Sequence, residues 1–394
     1  MYGAAVDMSK AFDMVEWSEL FLTLLDGNVE CIFLRLIFFI YTHQKCNVKW
    51  CGESSGNFNV SNGVRQGAVS SAVLFAVYID NLLKLLEMSK FGCYIQGVFY
   101  GAFIFADDIF LLSASRTGLQ ALVDICHDFA AVKNLTFGTN TILSKSKTKC
   151  IIFSRKAKDH IGVVNITLNG AILPWVKTVL HLGCTLDSNN SMKNDISIKR
   201  GRFIGKVNSL LQELHFASEE VLLNVINTHT TSFYGSPLWD LYSPDCEKLY
   251  KSWNVAMRNV LRVDRRTHRY LLEPLTGNLL YPKAMLASRL VGFYCSQLNS
   301  PKFCVRFLMQ VASNDKRTVI GKVLDMISKE CNSKIEDLSP GFVKKTVKYA
   351  VPSDNEQWRI PLAINLHSIR SGREYIPGFS KDEIELMLQS VCVS

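Results

Sequence analysis

Two adjacent carboxylates, Asp107 and Asp108, interrupt the apolar run Ile104-Phe-Ala-Asp-Asp-Ile-Phe-Leu-Leu112, and no other feature constrains the fold so tightly. Residues 94–112 read as two strands meeting near 106–108. Both carboxylates then stand at a hairpin tip. A second apolar run, Ala4-Ala-Val-Asp-Met8, sets Asp7 in a strand of its own. An unpaired buried carboxylate is costly, and a divalent cation is the most economical partner for several of them. Mg²⁺ takes oxygen ligands and sits on one or two carboxylates plus substrate phosphates. Two such ions on an Asp cluster serve in-line phosphoryl or nucleotidyl transfer. An Asp-Asp pair also occurs as a plain turn or cap, so the dipeptide alone leaves both readings open.

The surrounding pattern is α+β. Residues 18–41 have helical spacing at Leu20, Leu24, Leu25, Ile32, Leu36 and Phe39, split into two helices by Gly27-Asn28. Residues 46–50 and 57–60 flank a turn-rich segment and read as one hairpin. Helices are expected at 70–86 and 119–132, and strands at 149–154 and 166–168. Helices alternating with hairpin strands argue against a doubly wound sheet. After about residue 195 the pattern turns helical, at 196–214, 218–231, 245–261, 282–298 and 301–312. Residues 332–361 carry few signals and read as a loosely packed tail.

Of 394 residues, 48% are hydrophobic and 20% charged, which excludes disordered and collagen-like chains and predicts two or three packed units. The formal charge is +9, and it is concentrated: residues 140–210 hold 12 Lys/Arg against 3 acidic residues, and residues 251–269 hold 6 against one. Such blocks suit a polyanionic partner and equally a solvated face. The 12 cysteines stand singly with no C-x-x-C pair, so no zinc site is expected and reduced intracellular thiols are. The most apolar stretch, residues 31–41, carries Arg35 and falls short of the roughly 20 residues that span a bilayer. No membrane association is expected.

Longer patterns surround the carboxylates. Val6-Asp-Met-Ser-Lys-Ala-Phe-Asp-Met-Val15 resembles motif A of LINE-type non-LTR retrotransposon reverse transcriptases. Asn62-Gly-Val-Arg-Gln-Gly-Ala68, continued by Leu74-Phe-Ala-Val-Tyr-Ile-Asp-Asn-Leu82, resembles motif B. Phe105-Ala-Asp-Asp108 resembles motif C, Lys147-Thr-Lys-Cys-Ile-Ile-Phe153 motif D, and Leu182-Gly-Cys-Thr-Leu-Asp187 motif E, the primer grip. Ser232-Phe-Tyr-Gly-Ser-Pro-Leu-Trp-Asp-Leu241, Ser252-Trp-Asn-Val-Ala-Met-Arg258 and Thr267-His-Arg-Tyr-Leu-Leu272 look like the helical region after the palm in the chicken-repeat and Jockey-like branches. Motif B departs from the family in residues 69–73, where the usual proline is lacking.

The resemblance implies an RNA-directed DNA polymerase taking an RNA template, a DNA primer and dNTPs, with two Mg²⁺ ions (Mn²⁺ as substitute) on Asp7, Asp107 and Asp108. Phe12 matches the aromatic that excludes a 2′-hydroxyl and also reads as a core aromatic. Arg65, Gln66 and Gly67 fall where the family contacts nucleotide and template, Gly67 and Gly63 doubling as turn glycines. Lys147 matches the motif D lysine that protonates the leaving pyrophosphate, with Lys145 and Lys149 as close alternatives. Leu182 and Gly183 of the primer grip, and Lys199, Arg200, Lys206 and Arg202 on the following helix, would contact nucleic acid. His268 has no partner spacing for a metal and reads as structural.

The expected organisation is a palm over residues 1–190, a thumb-like helical region over 191–275, and a C-terminal helical region and tail over 276–394. Six residues precede Asp7, where the family places its fingers, so the reading is an N-terminally truncated palm lacking most of the fingers. Three functional readings follow: a working polymerase, an inactive retroelement remnant that only binds nucleic acid, and an unstable fragment that aggregates along an exposed edge. The expected setting is intracellular, cytoplasmic and nuclear.

Overall fold

Alternation of Ala4, Val6 and Met8 with Ala5 and Asp7 lets a strand bury one face and aim a carboxylate from the other. In the computed structural model of the chain this segment forms β1 (Tyr2–Ser9), the middle strand of a mixed six-stranded sheet. The structure describes residues 1–138, 147–154, 156, 164–277, 281–347, 357, 359–372 and 379–393. The chain divides into two compact units, Met1–Ser191 and Met192–Ser394.

In the first unit, β2 (Ala102–Phe105) and β3 (Asp108–Ser113) form the hairpin expected around the Asp-Asp pair. Strand β3 pairs antiparallel with β1 in the register Tyr2↔Ser113 through Asp7↔Asp108. On its other side β1 pairs with β4 (Thr136–Phe137) through Met8 and Ser9, and with β5 (Lys149–Ile152) through residues 2–5. Strand β6 (Trp175–Val176) joins β5 in parallel. One sheet face, with Ala4, Val6, Met8, Ile109 and Leu111, is buried together with apolar residues of α1 (Trp17–Asp26), α3 (Ser71–Met88) and α4 (Arg116–Val132). The opposite face buries Phe110 and Ile151 against Val179 and Leu186 of the hairpin Thr178–His181/Cys184–Asp187. Alternation along β1 and β3 puts Asp7 and Asp108 on this second face.

Local turn chemistry refines the expected elements. The two helices predicted over residues 18–41 are α1 and α2 (Cys31–Thr42), joined through Asn28 at φ 54°. Leu20 and Leu24 are buried as predicted, whereas Leu25, Ile32, Leu36 and Phe39 are exposed. The hairpin expected at 46–60 forms as two nested ladders, Lys45–Cys46/Phe58–Asn59 and Lys49–Trp50/Glu53–Ser54, with the turn at Cys51 and Gly52, which both take positive φ (48° and 87°). Likewise the two strands expected over 94–112 are four. Gln96 and Gly97 (φ 47° and 84°) fold Tyr94–Ile95 onto Val98–Phe99 before β2 begins.

The second unit is helical. It comprises α5 (Lys193–Glu213), α6 (Glu219–Thr230), α7 (Pro244–Leu261), α8 (Arg269–Leu275), α9 (Pro282–Leu298), α10 (Phe303–Asn314), α11 (Val319–Glu330), α12 (Pro340–Thr346), α13 (Arg359–Arg370) and α14 (Lys381–Val393). Ser218, Ser243, Thr318 and Ser339 cap their helices by accepting backbone N–H bonds. One continuous core runs from Ile196 to Cys392, and Leu271, Leu275, Leu286 and Leu290 all belong to it. The loosely packed tail expected at 332–361 is a correction: Leu338, Val343 and Val347 are buried in this core, because Pro340 starts a helix whose apolar side faces inward. Residues 348–356 and 358 of that stretch lie outside the described residues. Among the described residues no helix is long and apolar enough to cross a membrane.

Candidate active site

The ladder register sets Asp7 directly opposite Asp108, and Asp107 precedes it in the hairpin turn. The turn is tight enough that Ala106 takes φ 51°, a conformation L-residues other than Gly and Asn rarely adopt. Burial raises the Asp108 carboxyl above the ordinary aspartate range, and the charges of Asp107 and Asp7 add to this while His181 opposes it. Among the described residues Asp7 Oδ2 is buried and accepts no hydrogen bond; Lys147 Nζ stands 3.6 Å from it. Among the described residues no three Asp, Glu, His or Cys side chains converge closely enough to hold a metal ion. The structure therefore aligns Asp7 with Asp108 and leaves the trio short of a closed ligand set. Hard oxygen donors, mutual repulsion and an oxygen without a hydrogen bond nevertheless fit a divalent cation in chemical kind.

Motif A and motif B segments meet through backbone. Gly63 N–H donates to Val15 O and Val64 N–H to Phe12 O, both at 2.8 Å, while Trp17 Nε1 donates to Gly63 O at 2.8 Å. A Cβ on Gly63 would lie 3.0 Å from Asp13 O, and φ is 85°, so this close approach needs glycine. Phe12 stacks on Phe75 at 4.9 Å and 15°, anchored to the core yet only partly buried. Arg65 Nε donates to the buried Gln44 Oε1 at 2.8 Å, and Gln66 Nε2 reaches Asp13 Oδ1 at 3.4 Å. Arg65, Gln66 and Gly67 are exposed, and a Cβ on Gly67 would meet nothing within 4 Å, so its φ of 87° alone favours glycine.

Three residues at this face had not been singled out from the sequence. His181 lies with its ring 5.0 Å from Phe110, its pKa lowered by burial while Asp108 pulls the other way. It immediately precedes the motif E residues, which was the available signal. Thr148 Oγ1 accepts the Asp7 N–H at 3.3 Å, and Gly138 N–H donates to Asp7 O at 2.8 Å. Of the candidate lysines, Lys147 pairs with Asp7, Lys149 sits in β5, and Lys145 lies outside the described residues. Leu182 and Gly183 form the tip of their hairpin with φ of 44° and 72°.

In the second unit, Lys199 departs from the expectation of a phosphate contact. It is buried, 2.7 Å from Asp195, whose carboxylate also accepts Trp239 Nε1 at 2.8 Å, because the α5 periodicity turns residues 195, 199 and 203 inward together. Arg202 and Lys206 are exposed on α5, and Lys206 Nζ donates to His229 O at 3.3 Å. Arg200 joins Lys248 and Lys251 of α7 along a groove of about 280 Å³ that Ile204 and Val255 also line. The fold thus brings members of the two basic blocks together. His268 stacks on Tyr270 at 5.2 Å, with no metal-ligand cluster among the described residues.

Residues 1–186 match the family described as reverse transcriptase (RNA-dependent DNA polymerase). The chain is 30% identical over 161 residues, 40% of its length, to the retrovirus-related Pol polyprotein from type-2 retrotransposable element R2DM of Drosophila melanogaster. It is 31% identical over 121 residues, 31% of its length, to the retrovirus-related Pol polyprotein from type-1 retrotransposable element R2 of Nasonia vitripennis. It is 24% identical over 214 residues, 54% of its length, to a putative 115 kDa protein in type-1 retrotransposable element R1DM of Drosophila melanogaster. The matches span 15%, 12% and 19% of those relatives.

Proposed function

We propose, because residues 1–186 match the reverse transcriptase (RNA-dependent DNA polymerase) family, that this chain extends a DNA primer on an RNA template by nucleotidyl transfer, as the polymerase of a non-LTR retrotransposon. The observation that carries this reading is the Asp7↔Asp108 pairing beside Asp107 at one hairpin tip. These three carboxylates would hold Mg²⁺, or Mn²⁺ in its place, which when bound activates the attacking 3′-oxygen and stabilises the leaving one. The chain's own residues do the rest. Phe12, stacked on Phe75, rejects a 2′-hydroxyl by bulk. Arg65 and Gln66, held by Gln44 and Asp13, orient nucleotide and template. Lys147 protonates the departing pyrophosphate, and Leu182-Gly183 steadies the primer. Arg200, Arg202 and Lys206 grip phosphates, with residues 1–190 acting as palm, 191–275 as thumb-like helices and 276–394 as the C-terminal helical region.

Primer extension by the full chain on an RNA template with Mg²⁺, run beside Asp107→Asn, tests this. Incorporation by the wild type, lost in Asp107→Asn with nucleic-acid binding unchanged, is the expected result. Salt-sensitive binding without incorporation by the wild type would replace it with the second reading, a remnant that only binds nucleic acid.

A further inference from the structure

We infer that Gly138 is a positioning residue for Asp7: it leaves beside the carboxylate a gap that no side chain can share. The inference rests on Asp7 being the metal-binding carboxylate proposed above. Two segments fix the backbone of Asp7 from the same side of β1. Gly138 N–H donates to Asp7 O at 2.8 Å, Asp7 N–H donates to Thr148 Oγ1 at 3.3 Å, and Thr148 N–H donates to Gly138 O at 3.3 Å. With both of its backbone polar groups engaged, Asp7 has only its side-chain torsions left to set where the carboxylate points.

A Cβ on residue 138 would stand 2.7 Å from Asp7 Oδ2 and 3.3 Å from Ser9 Oγ. The first distance lies well inside carbon–oxygen contact, so one of the two groups must move. The Gly138 backbone lies outside the left-handed region, which means alanine is conformationally permitted there. The atom in the way is the far end of a short side chain and not backbone. Alanine at 138 therefore leaves the fold intact and turns the Asp7 carboxylate away from its present rotamer. Among the described residues Oδ2 is buried without a hydrogen bond, and this gap and Lys147, 3.6 Å away, define its place. Groups that orient a ligating side chain without touching the ion commonly change metal affinity by 10- to 100-fold.

The test compares the full chain with Gly138→Ala and with Gly56→Ala, whose Cβ would meet nothing within 4 Å. Mn²⁺ binding is read by electron paramagnetic resonance, the Asp7 rotamer by crystallography, and folding by thermal unfolding. In Gly138→Ala the rotamer changes and Mn²⁺ binds about tenfold or more weakly, with the unfolding midpoint preserved; Gly56→Ala matches the wild type in all three. An unchanged Asp7 rotamer, or a changed one with undiminished Mn²⁺ affinity, overturns the inference. A changed rotamer in a chain whose wild type binds no Mn²⁺ upholds the positioning and sinks the metal-dependent reading instead. Should Gly138→Ala unfold, it is combined with Asp7→Ala: recovery of the fold upholds the inference, because the displaced oxygen is gone, and continued unfolding overturns it.

Discussion

Asp108 carries the electrostatic consequence of its neighbours. Its carboxyl is raised by burial first, then by the negative charges of Asp107 and Asp7, against the opposing pull of His181. The folded chain thus binds this proton more tightly than the unfolded chain, so at neutral pH the residue works against stability. That penalty is relieved as pH falls through its folded midpoint. Asp107→Asn removes one of the raising charges, and a carboxyl titration followed by NMR is expected to show the Asp108 midpoint moving down toward the ordinary aspartate value. An unmoved midpoint would mean that the Asp107 charge does not contribute to it. Asp7, Asp107 and Asp108 were legible as candidates because carboxylates inside apolar strands are conspicuous. Gly138 was not, because the contact that makes it matter is to a residue 131 positions away in the chain.

Helices α6, α7 and α13 are joined by one polar knot. Glu219 at the start of α6 has Arg370 NH2 at 2.9 Å and His367 Nε2 at 2.8 Å, both from α13. The same guanidinium donates to the carbonyls of Arg262, at 2.9 Å, and Leu261, closing the C-terminal end of α7. Burial by itself raises the Glu219 carboxyl, but His367, Arg370 and Arg262 outweigh it and hold the group below its ordinary value. Its contribution is therefore stabilising above the unfolded carboxyl's pKa and is lost as pH falls through the folded midpoint. Removing one partner strands a largely buried charge. Arg370→Met is expected to cost roughly 3 kcal/mol in denaturant unfolding at pH 7, and the cost should shrink in acid once Glu219 is protonated. A pH-independent loss would point to packing of the arginine stem instead. Sequence periodicity located α6 and α7 to within a residue or two, since each begins at a Ser cap and runs amphipathic; α13 carries Pro361 within its first turn and broke that pattern.

At the scale of the molecule, two units hold separate cores, one packed on both faces of a sheet and one wholly helical. Separate cores need not melt together. Calorimetry of the full chain is expected to give a van't Hoff enthalpy below the calorimetric one, and a ratio of one would show that the two units unfold as a single cooperative body. Arg370→Met should shift only the transition belonging to residues 192–394, which assigns the two.

The sequence by itself determined the α+β character of the first half, the helical character of the second, and which carboxylates stand inside apolar strands, because apolar periodicity and charges set in apolar strands are properties of neighbouring residues. Tertiary structure alone decided the register that faces Asp7 with Asp108, the inward turn of Lys199 onto Asp195 and Trp239, and the meeting of Arg200 with Lys251. Each of these depends on which strand or helix lies alongside, and packing of distant segments, not local preference, makes that choice.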